Sequence, residues 1–418
     1  MPIRCLARRL ALASERDAPT MSTPAAMTPA ASLLGPLEEF GELHASARRR
    51  HGRRLIDLSF PNPAQARDRR GIETLRQVAG RLDVGQLQYS PFGGLATARR
   101  RVAQALARQA GLRYRHSEVF LTPGATAALV VAFSAALSAG DEVLIAAPCW
   151  LDYPLYLDRL GITWQLVSLT AGGRLDCAAL ADRWGPRTRA VVISQPNCPT
   201  GTVATEAELR GLAGLLESRR NDPSRPPLLI SDEAHKEQVW SGSFVSPACC
   251  YDNTISVSSF GKAWSLQGQR AGYIAVSPRA ADRQSLLLRV ERAVRATGTC
   301  APTLVMQHVM AELCELTPDV SSLAADQVLV RDELGRAGVA AVAGQATAFV
   351  YVRCPGQVDD WAFARLAARE GVLVLPSAVF HHSGHYRLAL NVSGERLCEG
   401  VRRVAAVHQR AATGGSDV

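Results

Sequence analysis

Between about residues 70 and 290, short apolar runs alternate with longer amphipathic stretches, and this alternation strongly restricts what the chain can fold into. VFLTP (119–123), EVLIAAP (142–148), AVVISQP (190–196), PLLISDE (227–233), TISVSS (254–259) and GYIAVSP (272–278) read as buried strands. Segments such as LATARRRVAQALARQAG and EAELRGLAGLLESRR, with a helical period, lie between them. Strands apolar on both faces and separated by helices predict an α/β fold built on a large, doubly wound, mostly parallel sheet. In such sheets ligands bind beyond the carboxyl ends of the strands.

After residue 290 the pattern changes to a long helical stretch, fewer strands (ATAFVYVRC, GVLVLPS, YRLALNVS) and a helix over 394–411. This predicts a smaller α+β domain. The expected division is a disordered tail over 1–33, an N-terminal segment of the small domain over 34–66, the large domain over 67–292, the rest of the small domain over 293–411, and a tail over 412–418. The Ala, Pro, Ser and Thr content of the first residues suits a tail better than a signal peptide.

The net charge of +9 comes from 47 basic and 38 acidic residues, but the Arg residues are scattered and no nucleic-acid-binding motif accompanies them. Ten Cys without a CxxC pair suggest reduced thiols in a cytoplasmic protein, with neither a disulfide framework nor a metal site. No apolar run reaches membrane-spanning length. The basic residues carry a sharper signal: all but Lys236 and Lys262 are Arg. A guanidinium serves any surface role, but it stays protonated and cannot act as an amine nucleophile.

Lys262 follows the strand TISVSS, with Arg270 eight residues on. Asp232 and Glu233 end the strand PLLISDE, where an acid must be paired or solvated. Gly124, Ala125 and Thr126 stand where a strand gives way to a helix, a place whose free N–H groups and dipole suit a phosphate. An amine, an acid and a phosphate cradle at neighbouring strand ends are what pyridoxal 5'-phosphate requires: the amine for a Schiff base, the carboxylate to keep the pyridine nitrogen protonated. Lys236 reads as a solvated charge of a helix or loop.

These residues lie in motifs that together resemble the class I/II aminotransferases of fold type I: YSPFGG (89–94), GATAA (124–128), GDEVLIAAPCWLDYP (140–154), PNCPTG (196–201), SDEAH (231–235), SSFGKAWSLQGQRAGY (258–273) and YRLALNVS (386–393). The resemblance implies that Lys262 holds the cofactor and shuttles a proton, and that Asp232 pairs with the pyridinium. It further implies that Trp150 stacks on the ring, that Ala125, Thr126, Ser259 and Arg270 bind the phosphate, and that Arg387 grips the substrate α-carboxylate. Tyr89 would reach the phosphate of a neighbouring subunit, implying a homodimer with shared sites.

Four positions depart from the family pattern. Cys198 stands where an Asn usually donates to the cofactor's phenolic oxygen, and His235 where a Tyr commonly adds a second bond. Pro61 replaces a Gly whose N–H often serves the substrate, and Gly261 replaces a Ser. A thiol is a weak donor, so unless His235 or Asn197 compensates, the lysine–cofactor linkage should keep its proton to higher pH. The expected activity is transfer of an amino group between an α-amino acid and a 2-oxo acid. The alternative is a lyase or cyclase of the same cofactor class, since His235 also resembles the Asp-Glu-x-His of fold type I carbon–sulfur lyases. A cofactor-free regulatory protein is the rival of another class.

Overall fold

The computed structural model describes residues 29–63, 68–222 and 225–413. Its strands are β1 (Ile56–Asp57), β2 (Val119–Thr122), β3 (Glu142–Ala147), β4 (Thr163–Ser168), β5 (Thr188–Ser194), β6 (Leu228–Asp232), β7 (Thr254–Ser259), β8 (Gly272–Val276), β9 (Phe349–Arg353), β10 (Val372–Leu373), β11 (Leu375–Pro376) and β12 (His385–Ala389). Seven of them form one sheet in the order β2-β8-β7-β6-β5-β3-β4. Only β8 runs against its neighbours.

The apolar runs that define these strands divide residue by residue between two cores, because successive side chains point to opposite faces. Val143, Ile145, Val192 and Ile230 enter a cluster under the helices Gly124–Ala136 and Arg283–Ala296. Leu144, Val191, Ile193 and Leu229 enter another under the helix Glu206–Ser218. That helix starts where Thr205 and Glu208 cap each other's backbone, as the sequence TEAE suggests. Covering both faces is what the continuous hydrophobicity of the runs demanded.

All six strands read in the large sheet are present, but β4 has no counterpart among them. It lies at the sheet edge with most of its residues partly exposed, so it shows no apolar run. Chain direction across the sheet reverses after β4: β3 to β4 steps outward, then β5, β6 and β7 step the other way. The carboxyl ends of β3, β5, β6 and β7 thus border one crevice.

A smaller α+β unit contains β9, β11 and β12 in a three-stranded antiparallel sheet. GVLVLPS is divided at Val374 into β10 and β11, which join different sheets. Through β1, parallel to β10, the segment after the first helix packs onto this unit. That helix, Pro29–His51, begins inside the stretch expected to be a tail. The rest of the expected N-terminal tail, residues 1–28, lies outside the described residues, as do 414–418 of the C-terminal one. The helix Gly394–Ala412 lays Leu397, Val401 and Val404 against Ile56 and Leu58, and Gly400 leaves room for Ile56, whose Cγ2 would lie 2.8 Å from an added Cβ.

Candidate active site

Asp232 is the last residue of β6 and is buried. The Tyr153 hydroxyl donates to its Oδ2 at 2.6 Å and the Ala234 N–H to its Oδ1 at 3.0 Å. Burial raises its pKa, against the opposing pull of these two donors and the Lys262 charge. A carboxylate so placed gains from a cationic partner at the crevice. Tyr153 was not singled out from the sequence; its place three residues after Trp150, at the start of a short helix, was the available signal.

Lys262 lies just beyond β7. Burial lowers its pKa, and the charges of Arg387 and Arg270 push the same way, while Cys198 and Asp232 oppose them. A lysine so shifted is more readily the free amine that nucleophilic and proton-transfer chemistry needs. Gly261 has a steric cause: a Cβ there would lie 3.0 Å from Gln267 Cα and 3.4 Å from the Leu266 carbonyl oxygen.

The predicted anion cradle is assembled from three elements. Arg270, in the left-handed region at φ 48°, reaches back over the helix N-terminus, and its Nη2 donates to Thr126 Oγ1 at 3.4 Å. Gly124 has φ 85°, and a Cβ there would lie 2.7 Å from Arg270 Nη2. A Cβ on Gly272 would lie 2.9 Å from the Ala125 nitrogen and 2.7 Å from Gly124 C. These two glycines let strand, helix and guanidinium converge. Ser259 Oγ accepts from the Gly261 N–H at 3.1 Å and donates to the Ala271 carbonyl at 3.3 Å.

Arg387 occupies β12, the middle strand of the small antiparallel sheet. It is 1% exposed, so its charge has almost no access to water. Its guanidinium carbon lies 4.1 Å from the Phe349 ring centroid and 4.7 Å from that of Phe380. Nη2 donates to the Ser59 carbonyl at 2.7 Å, Nη1 lies 4.0 Å from Cys198 Sγ, and Nε has no partner. Among the described residues no carboxylate lies within ion-pair distance of it. Burial pushes its pKa down to about 10, so it remains charged at neutral pH. A buried, unpaired cation is costly unless an anion arrives.

The departures are clustered here. Cys198 is buried, and burial raises its thiol pKa against the opposing effect of Arg387 and Lys262. Asn197 is engaged by the protein: its Nδ2 donates to the Pro148 carbonyl at 3.1 Å, and its Oδ1 accepts from the Thr200 N–H and hydroxyl. Pro148 thus takes one of the two N–H donors of its amide. His235 is buried beside Phe349, with ring centroids 5.4 Å apart. Trp150 is partly buried against the large core. Pro61 follows the Ser59 carbonyl that holds Arg387. Tyr89 stays outside this constellation, fully exposed beside Phe92 and the segment Cys300–Val305.

One expectation is overturned. Lys236 is not a solvated charge: it is buried, with Nζ 3.5 Å from Oε2 of the fully buried Glu233 and over the Tyr273 ring at 5.5 Å. Burial works against the ammonium, but Tyr273, Glu233 and Glu237 outweigh it and hold its pKa above the usual range. Glu233 Oε1 in turn accepts from the Ser256 and Ser246 hydroxyls. Sequence proximity to Asp232 was the only hint, because burial is decided by the packing of β8 and the 102–109 helix segment around it.

The family model for aminotransferase class I and II matches residues 55–404. The chain belongs to this family. It is 29% identical over 376 residues to a probable aspartate/prephenate aminotransferase of Thermus aquaticus, covering 86% of this chain and 93% of that protein. It is 27% identical over 336 residues to a probable N-acetyl-LL-diaminopimelate aminotransferase of Bacillus subtilis, covering 77% and 82%. Among solved structures, an aminotransferase from Eubacterium rectale superposes with a TM-score of 0.83 at 26% identity, covering 90% of this chain and 96% of that one. A double mutant of Thermus thermophilus aspartate aminotransferase gives 0.78 at 26% identity, covering 88% and 96%. The aminotransferase is thus α/β of fold type I, and the family depends on pyridoxal phosphate. Among its described residues no helix is long and apolar enough to cross a membrane.

Proposed function

We propose that this aminotransferase binds pyridoxal 5'-phosphate in the crevice between Lys262, Asp232 and the Gly124–Thr126 turn, and moves an amino group from an α-amino acid to a 2-oxo acid. The observation that carries the reading is Arg387: a buried cation with an unpartnered Nε and no carboxylate partner among the described residues, on the same side as the lysine whose pKa it lowers. A substrate α-carboxylate supplies the missing charge through two parallel hydrogen bonds. The donor set suits the cofactor. The Gly124 and Gly272 gaps, the helix N-terminus, Thr126, Ser259 and Arg270 suit its phosphate, and Asp232, held by Tyr153, suits its pyridinium.

When bound, the cofactor supplies an electron sink for the bond broken at the substrate α-carbon. The chain supplies the rest. Lys262, whose pKa burial lowers, would be the residue to hold the cofactor through its amine and to carry the proton at the substrate α-carbon. Arg387 fixes the carboxylate and so the orientation of that carbon. Trp150, partly buried at the edge of the large core, would be the ring to stack on the cofactor. Tyr89 and Phe92, exposed on the chain's own surface, suit contact with a second copy, where Tyr89 would meet the other copy's phosphate. The names of the relatives make aspartate and prephenate the first compounds to try.

The test is a half-reaction. The purified holoenzyme is mixed with single amino acids without an acceptor, while cofactor absorbance is followed and products are identified by mass spectrometry. One 2-oxo acid per site and conversion of the cofactor to its amine form is the expected result. Continued turnover with release of ammonia would replace transamination by the lyase alternative. Lys262→Ala should lose both the Schiff-base absorbance and turnover; full activity in that variant would refute the assignment.

A further inference from the structure

His235 and Gln238 bracket the single turn Lys236–Gln238, whose three-residue period brings positions i and i+3 together. His235 Nδ1 lies 2.8 Å from Gln238 Oε1. The other end of the amide, Nε2, donates to the Lys262 backbone carbonyl at 3.3 Å. A carbonyl only accepts, so the NH2 group must face Lys262 and the amide oxygen must face the imidazole. The amide oxygen also only accepts, so the proton between the two side chains belongs to His235 Nδ1. A neutral imidazole has one N–H, which leaves Nε2 as a bare lone pair. Among the described residues Nε2 has no hydrogen-bond partner.

The ring is neutral on independent grounds. Burial first, then the neighbouring Lys262 and Arg387 charges, push its pKa down to about 3, against the Gln238 bond.

We propose that Gln238 is a positioning residue that locks His235 in the Nδ1-protonated tautomer, so that His235 offers the cofactor a hydrogen-bond acceptor where the family commonly offers a tyrosine donor. The inference rests on the cofactor site proposed above. It reverses the compensation left open by the sequence at His235: with Cys198 a weak donor and one Asn197 N–H held by Pro148, His235 accepts a hydrogen bond and does not donate one to an anionic phenolic oxygen. The lysine–cofactor linkage therefore keeps its proton at neutral pH, and the Gln238–Lys262 bond ties the tautomer lock to the backbone of the lysine itself.

The decisive measurement is nitrogen NMR of protein labelled with 15N-histidine, with His235→Gln used to assign the signal. A nonprotonated Nε2 and protonated Nδ1 at neutral pH, in holoenzyme and apoprotein alike, is the expected result; a protonated Nε2 in the wild-type protein overturns the proposal. A second readout is the pH titration of cofactor absorbance. Gln238→Met frees the tautomer, so Nε2–H can donate to the phenolic oxygen, and the midpoint should fall by about one pH unit, the size of one ordinary hydrogen bond. An unchanged tautomer and an unchanged midpoint in that variant would equally overturn it. A preparation that binds no cofactor would instead defeat the underlying site assignment, while the apoprotein NMR result would still decide the tautomer.

Discussion

Replacing Arg387 by Met should separate substrate recognition from fold stability. Two charge-assisted hydrogen bonds to a carboxylate, at roughly 1.5–3 kcal/mol each, are worth about 3–6 kcal/mol. If they orient the substrate in the transition state, kcat/KM for an α-amino acid should fall by about 10²- to 10⁴-fold. The stability ledger runs differently. The variant loses the bond to the Ser59 carbonyl and the contacts of the guanidinium with Phe349 and Phe380. It also removes a desolvated cation with no carboxylate partner among the described residues and an unsatisfied Nε. An unpaired buried charge costs several kcal/mol, so the terms oppose each other, and the net change should stay within about 2 kcal/mol. The assays are single-turnover kinetics with an amino acid and with the corresponding amine lacking the carboxylate, and urea unfolding of the apoprotein. The wild-type enzyme should discriminate strongly between the two compounds and the variant weakly. A variant that keeps its preference and loses less than about threefold in kcat/KM would refute the reasoning. So would a stability loss above about 4 kcal/mol with recognition intact, which would make Arg387 structural.

Lys236→Met should destabilise the protein by about 3–5 kcal/mol in urea unfolding, because it leaves the Glu233 carboxylate buried without its cation. Adding Glu233→Gln should recover part of that loss, and a single-variant cost below about 1 kcal/mol would show that the pair does not stabilise the fold. His235 should make the fold acid-sensitive. Its folded pKa of about 3 lies below the ordinary 6.5, so as pH falls between these values the unfolded chain takes up the proton first and stability is lost. The slope reaches about 1.4 kcal/mol per pH unit, so His235→Gln should abolish about 2–3 kcal/mol of the wild-type loss between pH 6.5 and about pH 4.5. Parallel stability curves for the two proteins over that range would contradict the buried, neutral imidazole.

Much of the site was legible because chemistry restricts residue types at strand ends. An amine that is Lys among so many Arg, an acid ending an apolar strand and a Gly opening a helix each carry their reason in the sequence. Gln238, Phe349 and Phe380 carry none, and Tyr153 only its place near Trp150, since an aromatic or an amide is compatible with many environments. They gain a place in the site only through contact: Tyr153 with Asp232, Gln238 with His235, and both Phe349 and Phe380 with Arg387. Strand β4 was missed because an edge strand has no need of a continuous apolar run.

The sequence by itself determined the doubly wound sheet, through runs apolar on both faces, and it marked Lys262 and Asp232, and through the family resemblance Arg387, as candidates for amine, pyridinium and carboxylate chemistry. Tertiary structure alone decided that Lys236 is buried against Glu233, that Asn197 binds Pro148 and Thr200, and that His235 meets the Gln238 amide. The physical reason is that charge state and hydrogen-bond direction depend on which groups are desolvated together. That is a property of residues far apart in the chain and adjacent only after folding.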